Sequence, residues 1–211
     1  EEYTRLLAFT VERVAGRVPV VAGTGEAGTA QTLDLTRHAA SLGVDAALVV
    51  TPYYVRPTQD GLRRHFLSVA DEGGLPVIAY NVPSRTACDM TPDTVAQLCT
   101  HPAIVGIKEA VGDSARIRAL AELAGPDFVY LSGDDETAGR DARASKRHPG
   151  AGHREARLLA IARVHHVLVG VAEREEQAAA LGGAAPGQVD PLAGAVALAE
   201  LAVVQRHLGA V

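Results

Sequence analysis

The chain has 211 residues, 47% hydrophobic and 4% aromatic, with 20 Lys+Arg against 25 Asp+Glu and a net charge of −5 at pH 7. That balance suits one soluble globular domain and excludes a disordered chain, a disulfide scaffold and a helical membrane protein. Two cysteines, Cys88 and Cys99, cannot staple a domain of this size, which points to a reducing compartment and a cytoplasmic location.

The most apolar stretch, residues 191–204, is interrupted by Glu200 and is too short to span a membrane. Glu1 and Glu2 open neither a signal peptide nor a chain with its initiator methionine, so the sequence is expected to begin inside a longer protein. All eight aromatic residues lie within the first 130 positions. Charge divides in the same way: residues 1–138 carry 11 basic and 18 acidic side chains, and residues 139–211 carry 9 and 7. The basic excess is densest over residues 140–163, yet no aromatic is interleaved there for base stacking. It is read as a solvated or poorly ordered segment, with no nucleic acid among the expected partners.

In chain order, five short apolar runs rich in branched residues predict strands over 18–22, 46–51, 76–80, 103–108 and 128–132. Helical spacing precedes and separates them: residues 3–14, 33–42, 61–71, 91–99 and 113–124. Thr91-Pro92-Asp93 reads as an N-cap followed by proline at the first helical position. Strands alternating with helices, about 25 to 30 residues apart, predict a parallel sheet. An open doubly wound sheet and a closed (β/α)8 barrel both fit that order. The strand ends favour the barrel: Gly23-Thr24-Gly25, Thr51-Pro52-Tyr53-Tyr54, Tyr80-Asn81, Lys108-Glu109 and Ser132-Gly133-Asp134-Asp135 all bring polar or reactive groups to the C-terminal side, where a barrel gathers its active site.

Gly23-Thr24-Gly25-Glu26-Ala27-Gly28 matches the spacing of a dinucleotide fingerprint. The fingerprint also needs an acidic residue at the end of the next strand, where Thr51-Pro52 stands, and Glu26 would repel a pyrophosphate. The segment is read as a tight turn. The eight histidines show no metal-ligand spacing.

Only Lys108 and Lys146 are lysines. Lys108 closes the fourth apolar run, at the expected barrel mouth. A desolvated lysine can lose its proton and attack a carbonyl to form a Schiff base, which arginine cannot do. The plainer alternative is a lysine neutralised by a carboxylate such as Glu109. Tyr80 ends the preceding strand and carries a hydroxyl able to donate and accept a proton. Arg85, in a proline-stiffened loop, could grip a substrate carboxylate with its guanidinium fork.

These pieces together resemble the pyruvate-dependent class I aldolases, and within them the dihydrodipicolinate synthase family. The segments that carry the resemblance are Ala22-Gly23-Thr24-Gly25, Val50-Thr51-Pro52-Tyr53-Tyr54 with Arg56-Pro57-Thr58-Gln59, Tyr80-Asn81-Val82-Pro83-Ser84-Arg85-Thr86, Gly106-Ile107-Lys108-Glu109-Ala110 and Leu131-Ser132-Gly133-Asp134-Asp135. The run containing Arg85 discriminates best among sister lyases. The resemblance implies a Schiff base between pyruvate and Lys108, with Tyr80 relaying protons. Tyr54 would complete the relay across a tight-dimer interface at which Tyr53 sits, and Arg85 would hold the carboxylate of L-aspartate 4-semialdehyde. The implied product is 4-hydroxy-tetrahydrodipicolinate on the route to lysine. The implied assembly is a homo-oligomer, a dimer of dimers, with no metal or organic cofactor and no membrane partner. The positions aligned with the family's lysine-binding Asn and Glu hold Ala27 and Gln31, so the resemblance does not carry lysine inhibition over.

The resemblance covers residues 1–138, read as a partial (β/α)8 barrel with five recognisable strands. The family pattern starts with two further strands and a relay threonine, and it continues past Asp135 in a way that residues 139–211 do not follow. That Ala- and Arg-rich tail is either a variant, with a substitute strand at 165–172 and a helix at 189–208, or an out-of-frame translation of a GC-rich gene, the preferred reading. A sister aldolase and a non-catalytic remnant or interaction protein stand as the functional alternatives.

Overall fold

The computed structural model describes residues 1–125 and 127–133. Expectations that fall on residues 134–211, including Asp134, Asp135, the boundary at 138/139 and the tail's strand and helix, lie outside the described residues.

Helix α1 (Glu2–Val14) leads into strand β1 (Val21–Gly23), followed by α2 (Thr29–Ser41) and β2 (Ala46–Val50). Then come α3 (Gln59–Glu72), β3 (Val77–Asn81), a four-residue α4 (Pro83–Thr86) and α5 (Pro92–Leu98). Strand β4 (Ile104–Glu109), helix α6 (Ser114–Leu123) and β5 (Val129–Ser132) complete the described part. All five expected strands are present, in one parallel sheet of order β1-β2-β3-β4-β5.

Local chemistry sets the boundaries. Thr58 caps α3 by accepting from Gly61 N at 3.1 Å, and Asp113 caps α6 by accepting from Arg116 N at 2.8 Å. Thr91 and Pro92 start α5 as expected, but the Thr91 hydroxyl bonds Gln59 Oε1 on α3 instead of capping its own helix. Strand β1 begins three residues later than predicted. Pro19 has no N–H to give to a ladder, and the Val20 N–H is taken by the Asp45 carboxylate at 2.7 Å. The loop expected at Pro83–Thr86 is a single helical turn with proline at its first position, ended by Ala87 at φ 54°.

The two faces of the sheet differ. Ala22, Ala47, Val49, Val77, Ala79, Ile107 and Tyr130 pack with Leu7 of α1, Ala39 of α2, Phe66 of α3, Leu98 of α5 and Leu120 of α6. The other face carries Leu48, Ile78 and Leu131 with Val21, Tyr80, Val105 and Val129, all from strands. A doubly wound sheet puts helices on both faces, whereas a βα-barrel keeps its strands in sequential order with helices outside only. The described residues follow the second pattern, so the strand-only face is the barrel's inner face.

Candidate active site

The inner face is built in rungs, because parallel register partners point to the same side. One rung runs Gly23, Leu48, Ile78, Gly106 and Val129; the rung nearer the strands' C-terminal ends runs Val50, Tyr80, Lys108 and Leu131. Lys108 owes its place there to an irregularity. Val77 pairs with Ile104, but Ile78 pairs with Gly106, which leaves Val105 as an extra residue. Strict alternation from the helix-facing Ile104 would turn Lys108 toward the helices. The extra residue reverses the parity beyond it, so Ile107 joins the helix-side core and Lys108 turns inward. Gly106 makes this possible: a Cβ at that position would lie 2.5 Å from Val129 Cγ2 and 2.7 Å from Val129 O.

The Lys108 ammonium nitrogen sits 4.8 Å from the centre of the Tyr80 ring, within cation–π range. Burial raises the Tyr80 hydroxyl above its ordinary pKa; the positive charge of Arg85 opposes that shift and the Glu109 carboxylate adds to it. Glu109 is not beside Lys108. As the next strand residue it faces the helices, where its oxygens accept from Asn81 Nδ2 at 3.1 and 3.2 Å, from Val111 N at 2.9 Å and from Arg116 Nε at 2.8 Å. The reading of Lys108 as the partner of Glu109 therefore does not describe this strand end. Burial pushes the Glu109 carboxyl upward, against the pull of Arg116 and of the donors from Val111 and Asn81.

Around this rung, Arg85 sits exposed on α4, its backbone N–H held by Val82 O at 2.9 Å. Thr51, fully buried at the end of β2, donates to Thr86 Oγ1 at 3.2 Å. Thr86 in turn contacts Val82 O and Cys88 O and accepts from Cys88 N, tying β2 to the turn that carries Arg85. Tyr53 donates its hydroxyl to Glu26 Oε2 at 2.7 Å, linking the loops after β2 and β1. Tyr54 is 90% exposed with φ at 72°. The structure thus brings Lys108, Tyr80 and Arg85 to one end of β3 and β4, ties Tyr53 to Glu26, and projects Tyr54 outward. The sequence places Thr51 and Asn81 only among the polar strand ends and Thr86 only within a matching segment, and it gives Arg116 no role. The signal for Asn81 and Glu109 lay in alternation: each follows an inward-facing residue and needs a polar partner on the apolar side.

Among the described residues no group of three His, Cys, Asp or Glu side chains is gathered to hold a metal, and no helix is long and apolar enough to cross a membrane.

The chain is 64% identical over 143 residues to 4-hydroxy-tetrahydrodipicolinate synthase of Stenotrophomonas maltophilia, covering 68% of this chain and 48% of that protein. It is 51% identical over 138 residues to the enzyme of the same name from Pseudomonas putida, covering 65% and 47%. The chain therefore spans about half the length of these relatives. Among solved structures, it resembles chloride-inhibited dihydrodipicolinate synthase from Acinetobacter baumannii complexed with pyruvate, with a TM-score of 0.67, 39% identity and coverage of 85% of this chain and 61% of that one. Dihydrodipicolinate synthase from Thermotoga maritima gives a TM-score of 0.69 at 27% identity, over 98% of this chain and 81% of that one. The profile of the dihydrodipicolinate synthetase family matches residues 1–144, and the chain belongs to that family.

Proposed function

We propose that this protein is a Schiff-base lyase that condenses pyruvate with L-aspartate 4-semialdehyde to 4-hydroxy-tetrahydrodipicolinate. The observation that carries this reading is the rung that sets Lys108 against Tyr80 at the C-terminal ends of β3 and β4. The Lys108 amine, once deprotonated, adds to the pyruvate ketone; loss of water leaves an imine, and loss of a methyl proton gives the enamine nucleophile. The Tyr80 hydroxyl, held in its protonated form by burial, supplies and recovers protons during these steps. The enamine carbon attacks the aldehyde of the second substrate. That substrate's amine then displaces Lys108 and closes the ring. Arg85 receives the second substrate's carboxylate, and its single helical turn keeps it near Tyr80.

Tyr54 belongs to the proton relay of a neighbouring copy, and Tyr53 to the interface between copies; the outward projection of Tyr54 supports this arrangement. The reaction requires no metal or organic cofactor, because the covalent imine is itself the electron sink. In this reading the protein works in the cytoplasm.

Borohydride reduction in the presence of pyruvate tests the reading. Peptide mass spectrometry should find the reduced adduct on Lys108. No adduct, or an adduct on Lys146, overturns the assignment. Consumption of aspartate semialdehyde together with pyruvate then separates this activity from that of a sister aldolase.

A further inference from the structure

We propose that Asn81, Glu109 and Arg116 form a positioning network that holds the Lys108–Tyr80 rung from behind, so that an arginine on α6 governs the reactivity of a lysine on the opposite face of the sheet. The proposal rests on the reading of Lys108 as the nucleophile.

The geometry is a consequence of alternation. Tyr80 and Lys108 are register partners facing inward, and the next pair along the same two strands, Asn81 and Glu109, are register partners facing the helices. Here the side chains bond each other directly, the Asn81 amide donating to both Glu109 oxygens. The same two side chains also hold backbone further along the chain: Asn81 Oδ1 accepts from Met90 N at 3.0 Å, and Glu109 Oε1 accepts from Val111 N at 2.9 Å. Arg116 closes the network from α6. Its Nε donates to Glu109, its terminal nitrogens reach the Asp89 carboxylate at 3.0 and 3.1 Å, and one of them also donates to Met90 O. Asp113 fixes the Arg116 backbone at the start of the helix.

Two features set this apart from ordinary packing. Glu109 is 1% exposed, and a buried ion pair is a costly way to fill such a space, since an apolar replacement of equal volume is often neutral or stabilising. What the ion pair adds is a unique geometry, imposed where the ladder ends and strands fray most readily. The network also reaches the inner face electrostatically, because the Glu109 carboxylate acts on the Tyr80 hydroxyl through the sheet. On the inner face the Tyr80 ring stands against Lys108, and the Arg85 charge acts on the Tyr80 hydroxyl.

The test compares the full chain with Asn81→Ala, with the double variant Glu109→Gln/Arg116→Met, which leaves no unpaired buried charge, and with Arg116→Lys. Two quantities are read by peptide mass spectrometry. One is the pH profile of Lys108 acetylation by acetic anhydride, with Lys146 as the internal reference. The other is the rate of borohydride-trapped imine formation as a function of pyruvate concentration. Asn81→Ala and the double variant should unfold cooperatively and shift the Lys108 profile relative to Lys146. Their trapping rate at saturating pyruvate should fall by about tenfold to a hundredfold with little change in half-saturation, as expected when a distant change misplaces a reacting group. Arg116→Lys, which keeps the charge but loses the fork, should fall between them and the native chain.

Unchanged Lys108 profiles and trapping rates in folded variants overturn the proposal. If the first two variants do not unfold cooperatively, Arg116→Lys decides by the same criteria. If the native chain traps no pyruvate, the functional reading fails, while the acetylation profiles still decide whether the network controls Lys108.

Discussion

Lys108 and Tyr80 are register partners on adjacent parallel strands, with the lysine nitrogen 4.8 Å from the centre of the tyrosine ring. The partnership exists because Val105 is an extra residue in β4. A regular pairing continued from Val77 and Ile104 would have set Tyr80 opposite Ile107 and turned Lys108 toward the helices.

Separating the ring from the hydroxyl of Tyr80 distinguishes its two contributions. Tyr80→Phe keeps the aromatic face beside Lys108 and removes the proton carrier. Imine formation should slow by about 10²- to 10⁴-fold, the usual range for a lost general acid–base group. Lys108→Arg keeps the positive charge but should abolish trapping altogether, because arginine does not release its proton. Stopped-time borohydride trapping measures both.

Gly106→Ala should destabilise the sheet and displace the lysine together. The new methyl would press on Val129 Cγ2 and on the Val129 carbonyl, the second of which cannot rotate away. A loss of about 1–3 kcal/mol is expected in urea unfolding, typical of overpacking. Adding Val129→Ala removes the side-chain clash only, so the double variant should recover part of the loss and not all of it.

Thr86→Val replaces a buried hydroxyl by a methyl of the same shape. Thr51 Oγ1 and Cys88 N then lose their acceptor. Leaving those donors unpaired should cost about 1–3 kcal/mol, and Thr86→Ser should restore most of it. Calorimetric unfolding of the three proteins checks the order.

His65, buried on α3 with Nδ1 bonded to Thr29 Oγ1 at 2.9 Å, has its pKa lowered by desolvation from 6.5 to about 4. Below pH 6.5 the unfolded chain takes up a proton that the folded chain refuses until about pH 4. Stability contributed by the neutral ring is therefore complete above pH 6.5 and is lost progressively as pH falls toward 4, with no further loss below. The full effect is on the order of 3 kcal/mol. His65→Leu should flatten this part of the stability profile, measured by urea midpoints between pH 4 and 7.

The five strands were legible because each is a short run of branched apolar residues between glycine, proline or polar breaks, a pattern that a buried parallel strand produces. The helices were legible from the spacing of their apolar faces. Helix α4 was not, since four residues contain no full period. The start of β1 was displaced because Asp45, far along the chain, takes the Val20 N–H that a ladder would have used.

By itself the sequence determined the kinds of element, their parallel order and the residues able to do carbonyl chemistry, since local periodicity and functional-group chemistry reside in neighbouring residues. Only the tertiary structure decided which face Lys108 occupies, because one extra residue in β4 inverts alternation and that insertion is visible only against β3. It also decided what Glu109 does. Read along the chain, the carboxylate is the nearest partner for Lys108. In the sheet, adjacent residues point to opposite sides, and Glu109 joins Asn81 and Arg116 behind the lysine.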